Sequence, residues 1–432
     1  MMTLIKNGKV VDPVKGVIKR ADLLIEKGKI TKILSHGQFK ADVSRLKTID
    51  AAKKLIIPGL IDMHVHLREP GHEYKETVAT GGKAGVAGGF TALACMPNTL
   101  PPNDCRSVTE FILEQAKKAR LCRIYPVAAI TMGQGGNALT EFGDLKAAGA
   151  VGVSDDGLPV TNSEVMRRAL EYAKYHELTV ISHSEDTTLS DGGVMHEGVI
   201  STRIGLPGIP AASEEIMVYR EISLAQLTGC PVHIAHVSTA GSVEIIRRAK
   251  ESHIPVTAET APHYFSLDHH AVIGYDTHTK MNPPLRTEKD VQAIKKGLAD
   301  GTIDVIATDH APHSPLEKDL EFDKAAFGII GLETALPLTL NLVREGVLKM
   351  PDAIKKLTSN AAAALGVAGG RLVEGAEADL AIIDPEYEYV LKEKDILSKS
   401  KNSPFIEKTL KGRNELTMIS GRVVWKRKGS LK

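Results

Sequence analysis

Asp62, His64 and His66, in the run LIDMHVHL, have residue types and spacing suited to metal chemistry. On a strand, alternate side chains share a face, so all three are expected to point the same way. Two imidazoles so placed can bind one metal ion. Taken alone, the pair reads equally well as two satisfied core histidines. Four further apolar runs change that balance, because each ends in a ligand-type side chain. LTVIS ends in His183, PVHIA in His236, TIDVIAT in Asp309, and AVGVS in Asp155 and Asp156. Burying so many polar groups without partners is costly, and a shared cation is the simpler account. Imidazole and carboxylate without thiolate suit zinc, with manganese or cobalt as alternatives.

Four imidazoles and two carboxylates exceed what one tetrahedral catalytic zinc needs. The natural reading is two metals sharing a bridging carboxylate. Asp156 is the choice for the bridge. Asp155 points the other way if its strand continues, and would then support a ligand instead. Asp62 reads either as the partner that orients a ligand imidazole or as a structural turn residue. Asp309 is the candidate proton carrier. Beside a cation it stays ionised, so it can accept a proton from an activated water and pass it to a leaving nitrogen. His233, three residues before His236, is expected on the opposite face of its strand in a structural role. His253, His269, His270 and His278 lack a strand-end position and read as surface or core residues.

Arg68 in HVHLREPG, Asn98 in CMPNT, Asn282 in KMNPPLR and His313 in TDHAPH fall in loops beside these strand ends. The guanidinium fork of arginine matches a carboxylate, and Asn and His add further donors. A substrate with a free carboxylate is implied. The segment SPLEKDLEFDKAAFG (314–328) is long and charged for a loop, and reads as a lid or as a solvated excursion.

These residues need elements to hold them. Eight short apolar runs (LIDMHVHL, FTALACM, RIYPVAAI, AVGVSD, LTVISH, PVHIAH, IPVTAE and TIDVIATD) alternate with amphipathic stretches such as SVTEFILEQAKKAR and SEVMRRALEYAKYH. That alternation predicts βαβ units closed into a (β/α)8 barrel of the TIM type, whose C-terminal rim is where active sites form. An open doubly wound sheet is disfavoured, because no Gly-x-Gly-x-x-Gly turn follows the first run. The two ends of the chain read as short strands. Asn7-Gly8 and Lys27-Gly28 are predicted hairpin turns, and ADLAIIDP, YEYVLK and the ISGRVVW hairpin follow the barrel. The expected organisation is a composite β-sandwich domain from 1–57 and 371–432, with the barrel at 58–370.

PGLIDMHVHLREPG, CMPNT, GVSDDG, TAETAPHY, KMNPPLR and IDVIATDHAPH together resemble the dihydroorotases of the amidohydrolase superfamily, closest to the long bacterial type. The resemblance spans nearly the whole chain, in order. It implies His64, His66 and Asp309 as ligands of a first Zn2+, Asp156 as the bridge, and His183 and His236 as ligands of a second. One or two zinc ions per subunit fit this pattern. It also implies Asp309 as general acid/base, Arg68, Asn98 and His313 as the clamp on the substrate carboxylate, Asn282 near the ring, and the loop after His313 as a mobile lid. The implied reaction is the reversible cyclisation of N-carbamoyl-L-aspartate to dihydroorotate in pyrimidine synthesis. Many relatives bridge their metals with a carboxylated lysine. GVSDDG has none, which argues against a hydantoinase or allantoinase. Tyr264 stands where a second histidine is frequent. A non-catalytic scaffold for a transcarbamoylase is the other alternative, and the full ligand set argues against it. A homodimer and association with an aspartate transcarbamoylase both stay open.

Composition excludes several classes. Apolar residues make up 43% and charged residues 25% of 432, with a net charge of +1. That is ordinary globular composition, without the basic excess that steers nucleic acid. The basic end, Lys426–Lys432, reads as a solvated tail. No apolar run is long enough for a membrane span or a signal peptide. The four cysteines form no Cys-x-x-Cys pair and are expected as buried thiols in a reducing, cytoplasmic setting.

Overall fold

The computed structural model describes residues 2–38, 46–429 and 431. Each of the eight apolar runs forms a strand, and the eight lie side by side in chain order, all parallel, from Leu60–Val65 to Val305–Ile306. The sheet closes on itself just beyond the last strand. A parallel bridge joins Val65 to His310, and the His66 N–H donates to the His310 carbonyl at 2.8 Å. The Asp62 carboxylate reinforces this seam by accepting from the backbone N–H groups of His64 (3.2 Å) and Thr308 (3.1 Å).

The connecting helices form where the amphipathic stretches and their caps predict. Asn162 caps Ser163–Tyr175, and Thr287 with Asp290 forms a capping box on Glu288–Asp300. Each buries one apolar stripe against the strands: Met166, Ala169, Leu170 and Ala173 in the first case. The helix Val78–Gly88 breaks that pattern, being VATGGKAGVAG. Its glycines serve close packing. A Cβ on Gly88 would lie 2.1 Å from the Leu332 carbonyl oxygen, and one on Gly81 would lie 2.5 Å from a Leu67 methyl. The helix Ser359–Leu365 closes the lower end of the barrel, where Ala361, Ala362 and Leu365 join the interior side chains Ile61, Val127, Ile181 and Val305. Chemistry is left to the opposite rim.

A second, nine-stranded sheet draws strands from both ends of the chain. Six precede the barrel, from Met2–Lys6 to Leu55–Pro58, and three follow it: Leu380–Val390, Thr409–Ile419 and Arg422–Lys426. The Lys27-Gly28 and Ser420-Gly421 pairs turn their hairpins with both residues at positive φ. The Asn7-Gly8 pair does not make the predicted hairpin. The ten-residue strand Val17–Glu26 is long enough to pair with Met2–Lys6 along one half and Lys9–Asp12 along the other, so the two short strands run end to end. ADLAIIDP and YEYVLK belong to one strand with a register irregularity between Asp384 and Glu388. Cys95, Cys122 and Cys230 are buried thiols, but Cys105 is exposed, standing in the loop just before the helix Arg106–Ala119. Lys426 ends the last strand rather than lying in a free tail, and Ser430 and Lys432 fall outside the described residues.

Candidate active site

Asp156 sits at the centre of the upper rim with four imidazoles around it. Its Oδ1 lies 3.3 Å from His64 Nε2 and 3.5 Å from both His183 Nδ1 and His236 Nε2, while Oδ2 lies 3.5 Å from His66 Nε2. Two triads result, His64/His66/Asp156 and Asp156/His183/His236, each with its donor atoms within 4.8 Å of one another. Asp309 Oδ1 faces the first triad, 3.1 Å from His66 Nε2 and 3.7 Å from His64 Nε2. All six side chains are buried. His64 Nε2 and Asp156 Oδ1 have no hydrogen-bond partner although both are buried. Orphaned buried donor atoms converging from several strands fit a divalent cation, and nitrogen and oxygen ligands without sulfur fit zinc.

Backbone geometry turns these side chains inward. Arg68, His236 and Asp309 have φ of 62°, 31° and 48°, in the left-handed region that residues other than glycine seldom adopt. Such conformations persist where the surrounding structure fixes them, and they gather at functional sites. His236 also explains a departure from strand alternation. His233 shares the inward face with Ala235, a barrel-interior residue, and the left-handed turn at His236 brings that ring inward too. His233 therefore does not face away from the site. Its Nε2 lies 3.5 Å from Glu259, whose other oxygen lies 2.7 Å from His64 Nδ1.

Glu259 was not among the sequence candidates, yet its signal was present. It ends the seventh apolar run, IPVTAE, by the same strand-end rule that picked the other ligands. It orients the His64 ring, the role weighed for Asp62, whose Oδ1 instead accepts from two backbone N–H groups. Glu185 holds the His183 ring in the same manner at 2.8 Å and accepts from Asn282 Nδ2 at 2.9 Å. Asn98 Oδ1 lies 2.7 Å from His66 Nδ1. Asp155 turns away from the cluster and accepts from Ile130 N, Thr131 N and the Thr131 hydroxyl.

The electrostatics follow from burial and charge. Burial alone raises a carboxyl pKa, but at Asp156 the charge of His64 and the close approach of His183 and His236 outweigh it and hold the group well below its ordinary value. At Asp309 burial is likewise outweighed, by the His66 bond and the neighbouring imidazoles, leaving it at about 2. His313 is lowered as well, to about 2, by burial and then by the charge of Arg68, which for an imidazole favours the uncharged form. It is a neutral ring beside a cation, with Arg68 Nη2 3.3 Å from its Nε2. Arg68 Nε also donates to the Pro312 carbonyl at 3.3 Å. Arg68 and His313 thus form one polar wall beside the first triad. The 314–328 segment packs down behind them. Lys318, 1% exposed, donates to the carbonyls of Lys280, Ala326 and Gly328. Tyr264 is buried, its hydroxyl on the Pro283 carbonyl at 2.6 Å.

Among the described residues no helix is long and apolar enough to cross a membrane. A family model described as dihydro-orotase-like matches residues 53–242. The dihydroorotase of Syntrophobacter fumaroxidans is 54% identical, over 98% of this chain and 97% of its own. That of Geobacter metallireducens is 53% identical, over 99% of this chain and 100% of its own. Among solved structures, the L-hydantoinase of Arthrobacter aurescens superposes with a TM-score of 0.88 at 25% identity, covering 98% of this chain and 96% of that one. The dihydropyrimidinase of Brevibacillus agri, at 22% identity and a TM-score of 0.85, covers 99% and 96% and shares the fold. The barrel is therefore that of the cyclic amidases, and by sequence likeness over its whole length the chain belongs to the dihydroorotase family.

Proposed function

We propose that this chain is a zinc-dependent dihydroorotase that interconverts N-carbamoyl-L-aspartate and dihydroorotate in pyrimidine synthesis. The observation that carries the reading is the pairing of Arg68 with neutral His313 beside two triads that share Asp156. A cation-and-imidazole wall suits a ring that bears a carboxylate, which dihydroorotate has and neutral hydantoin or dihydrouracil lacks. His64, His66, Asp156 and Asp309 would hold one zinc, and Asp156, His183 and His236 a second. Bound there, the metal supplies Lewis acidity to the amide carbonyl and lowers the pKa of water so that attack proceeds at neutral pH.

The chain's own groups do the rest. Arg68 and His313 bind the carboxylate and set which face of the ring meets the cluster. Asn98 holds the His66 tautomer through Nδ1 and has its amide nitrogen for the substrate, while Asn282 is fixed beside the ring by Glu185. Asp309, ionised, accepts the proton of the attacking water at its carboxylate. As the bond between the amide carbon and the ring nitrogen breaks, Asp309 returns that proton to the nitrogen. The products are a carboxylate and a ureido group, and cyclisation runs the same transfers backwards.

We take residues 1–57 with 371–432 as the β domain and 58–370 as the barrel. A cytoplasmic setting agrees with four free thiols. A homodimer or an aspartate transcarbamoylase partner is compatible with this reading, and gel filtration alone and with the transcarbamoylase separates the two.

The test is a substrate panel on zinc-loaded and chelator-treated protein: dihydroorotate, N-carbamoyl-aspartate, hydantoin, dihydrouracil and allantoin. Metal-dependent turnover confined to the first two is expected. Turnover of the neutral rings instead overturns the substrate assignment, and silence on all five with metal bound overturns the enzymatic one. Arg68→Lys should raise KM for dihydroorotate about tenfold to a hundredfold, because a point charge replaces a two-pronged donor. An unchanged KM would remove Arg68 from the carboxylate site.

A further inference from the structure

The segment between the strands Leu380–Val390 and Thr409–Ile419 does not stay with the nine-stranded sheet. Residues 398–402 run across the barrel rim and touch the two loops that flank the site. On one side is the loop after the first barrel strand. The Ser398 hydroxyl and the Lys399 N–H donate to Glu76, and the Ser400 hydroxyl donates to the Lys75 carbonyl at 2.7 Å. On the other side is the loop after the eighth strand. Asn402 accepts from the His313 N–H at 3.1 Å and donates to the carbonyls of Ala311 and Gly328, both at 3.0 Å. Asn402 is 1% exposed, so all of its side-chain bonds are made inside the protein.

The first of these loops carries Arg68 and the second carries His313, and the two side chains meet at 3.3 Å. The two loops meet at the barrel seam through the Val65–His310 bridge and through Arg68 Nε on the Pro312 carbonyl, and the strap adds a second tie that reaches the backbone of His313 itself. We propose that the 398–402 strap, with Asn402 at its end, is the positioning element that sets the Arg68–His313 pair for the substrate carboxylate. Gly328 extends the effect. Its carbonyl accepts from Lys318 Nζ as well as from Asn402, and Lys318 also holds the Lys280 carbonyl, two residues before Asn282. Gly328 stands at φ 131°, and a Cβ there would lie 2.7 Å from Ala311 Cβ and 3.2 Å from the His313 ring, so no side chain fits. Asn402 therefore fixes the base of the 314–328 loop at the point where that loop leaves and rejoins the barrel. It touches neither metal-ligand atoms nor reacting atoms, and acts through His313.

The inference rests on the carboxylate-binding role proposed for His313. Asn402→Ala removes an acceptor and two donors from buried backbone partners, a change worth about tenfold or more in the geometry it controls. The expected result is a KM for dihydroorotate raised about tenfold, with kcat and zinc content close to those of the parent enzyme. The same substitution in a His313→Ala background should leave KM nearly where His313→Ala alone puts it, because residues acting through one contact are not additive. An unchanged KM in the single variant, or the full effect repeated in the His313→Ala background, overturns the proposal. Should Asn402→Ala not fold, Asn402→Asp keeps the acceptor for the His313 N–H and loses both donors, and the same two comparisons apply. A parent enzyme without dihydroorotate turnover refutes the functional reading itself. A parent enzyme with turnover and an unaffected variant refutes only the strap.

Discussion

Asp309→Asn is expected to lower kcat on dihydroorotate by about 10³–10⁴-fold, with KM changed little, in protein that still carries zinc. The substitution keeps the shape of the side chain and removes its capacity to take a proton. Positioned acid–base groups contribute about 10²–10⁴ to rate, and Asp309 is asked to act in both halves of the reaction, so the upper part of that range applies. Its carboxylate is held at about 2, so at neutral pH it is present as the acceptor form. Its Oδ1 lies 3.1 Å from His66 and 3.7 Å from His64, within reach of whatever sits between those rings. Zinc retention is expected because His64, His66 and Asp156 remain as one triad and Asp156, His183 and His236 as the other. Steady-state kinetics on both substrates, with zinc measured on the same sample, decide it. A zinc-loaded Asp309→Asn enzyme that keeps parental turnover would leave proton transfer to some other group.

The parts of this site that the sequence discloses are those governed by strand periodicity. Every apolar run forms a barrel strand, because eight buried parallel strands demand short, near-continuous apolar stretches. The residues just past those runs had to converge, because a closed barrel brings all its strand ends to one rim. Departures come where a single backbone angle or a distant segment decides the outcome. Alternation placed His233 outside, and one left-handed residue at His236 puts both rings inside. The helix Val78–Gly88 is poor in helix-forming residues, and tertiary packing against Leu67 and Leu332 selects its glycines instead. Asn7-Gly8 carries the local signal of a hairpin, but the length of the partner strand Val17–Glu26 is a non-local fact that overrides it. The 398–402 strap has neither apolar periodicity nor ligand-type residues. Ser, Lys and Asn in a loop reveal their function only once their partners across the rim are known.

Asp156→Ala should cost both metals at once, in contrast to Asp309→Asn. Asp156 is the only residue common to the two triads, and its carboxylate reaches all four imidazoles at 3.3–3.5 Å. Without it the second site keeps only two nitrogen donors, and the first keeps two with Asp309 beside them, so neither retains the carboxylate that draws both sets of rings together. The rings also lose the anion that holds them together. His183 Nδ1 and His236 Nε2 lie 2.8 Å apart, each 3.5 Å from Asp156 Oδ1, so the carboxylate is the group the two rings share. The expected outcome after dialysis is a zinc content well below one per chain and turnover reduced by at least about 10³-fold, as for loss of the group that supplies the Lewis acid. The fold should survive, because Asp156 contributes to the site rather than to the apolar core between strands and helices, so thermal unfolding should remain cooperative. Elemental analysis of the dialysed variant is the direct reading. Two zinc ions per chain in Asp156→Ala would show that the triads bind independently of their shared carboxylate. One zinc ion with near-parental turnover would show that His64, His66 and Asp309 hold a metal without Asp156 and are enough for the reaction.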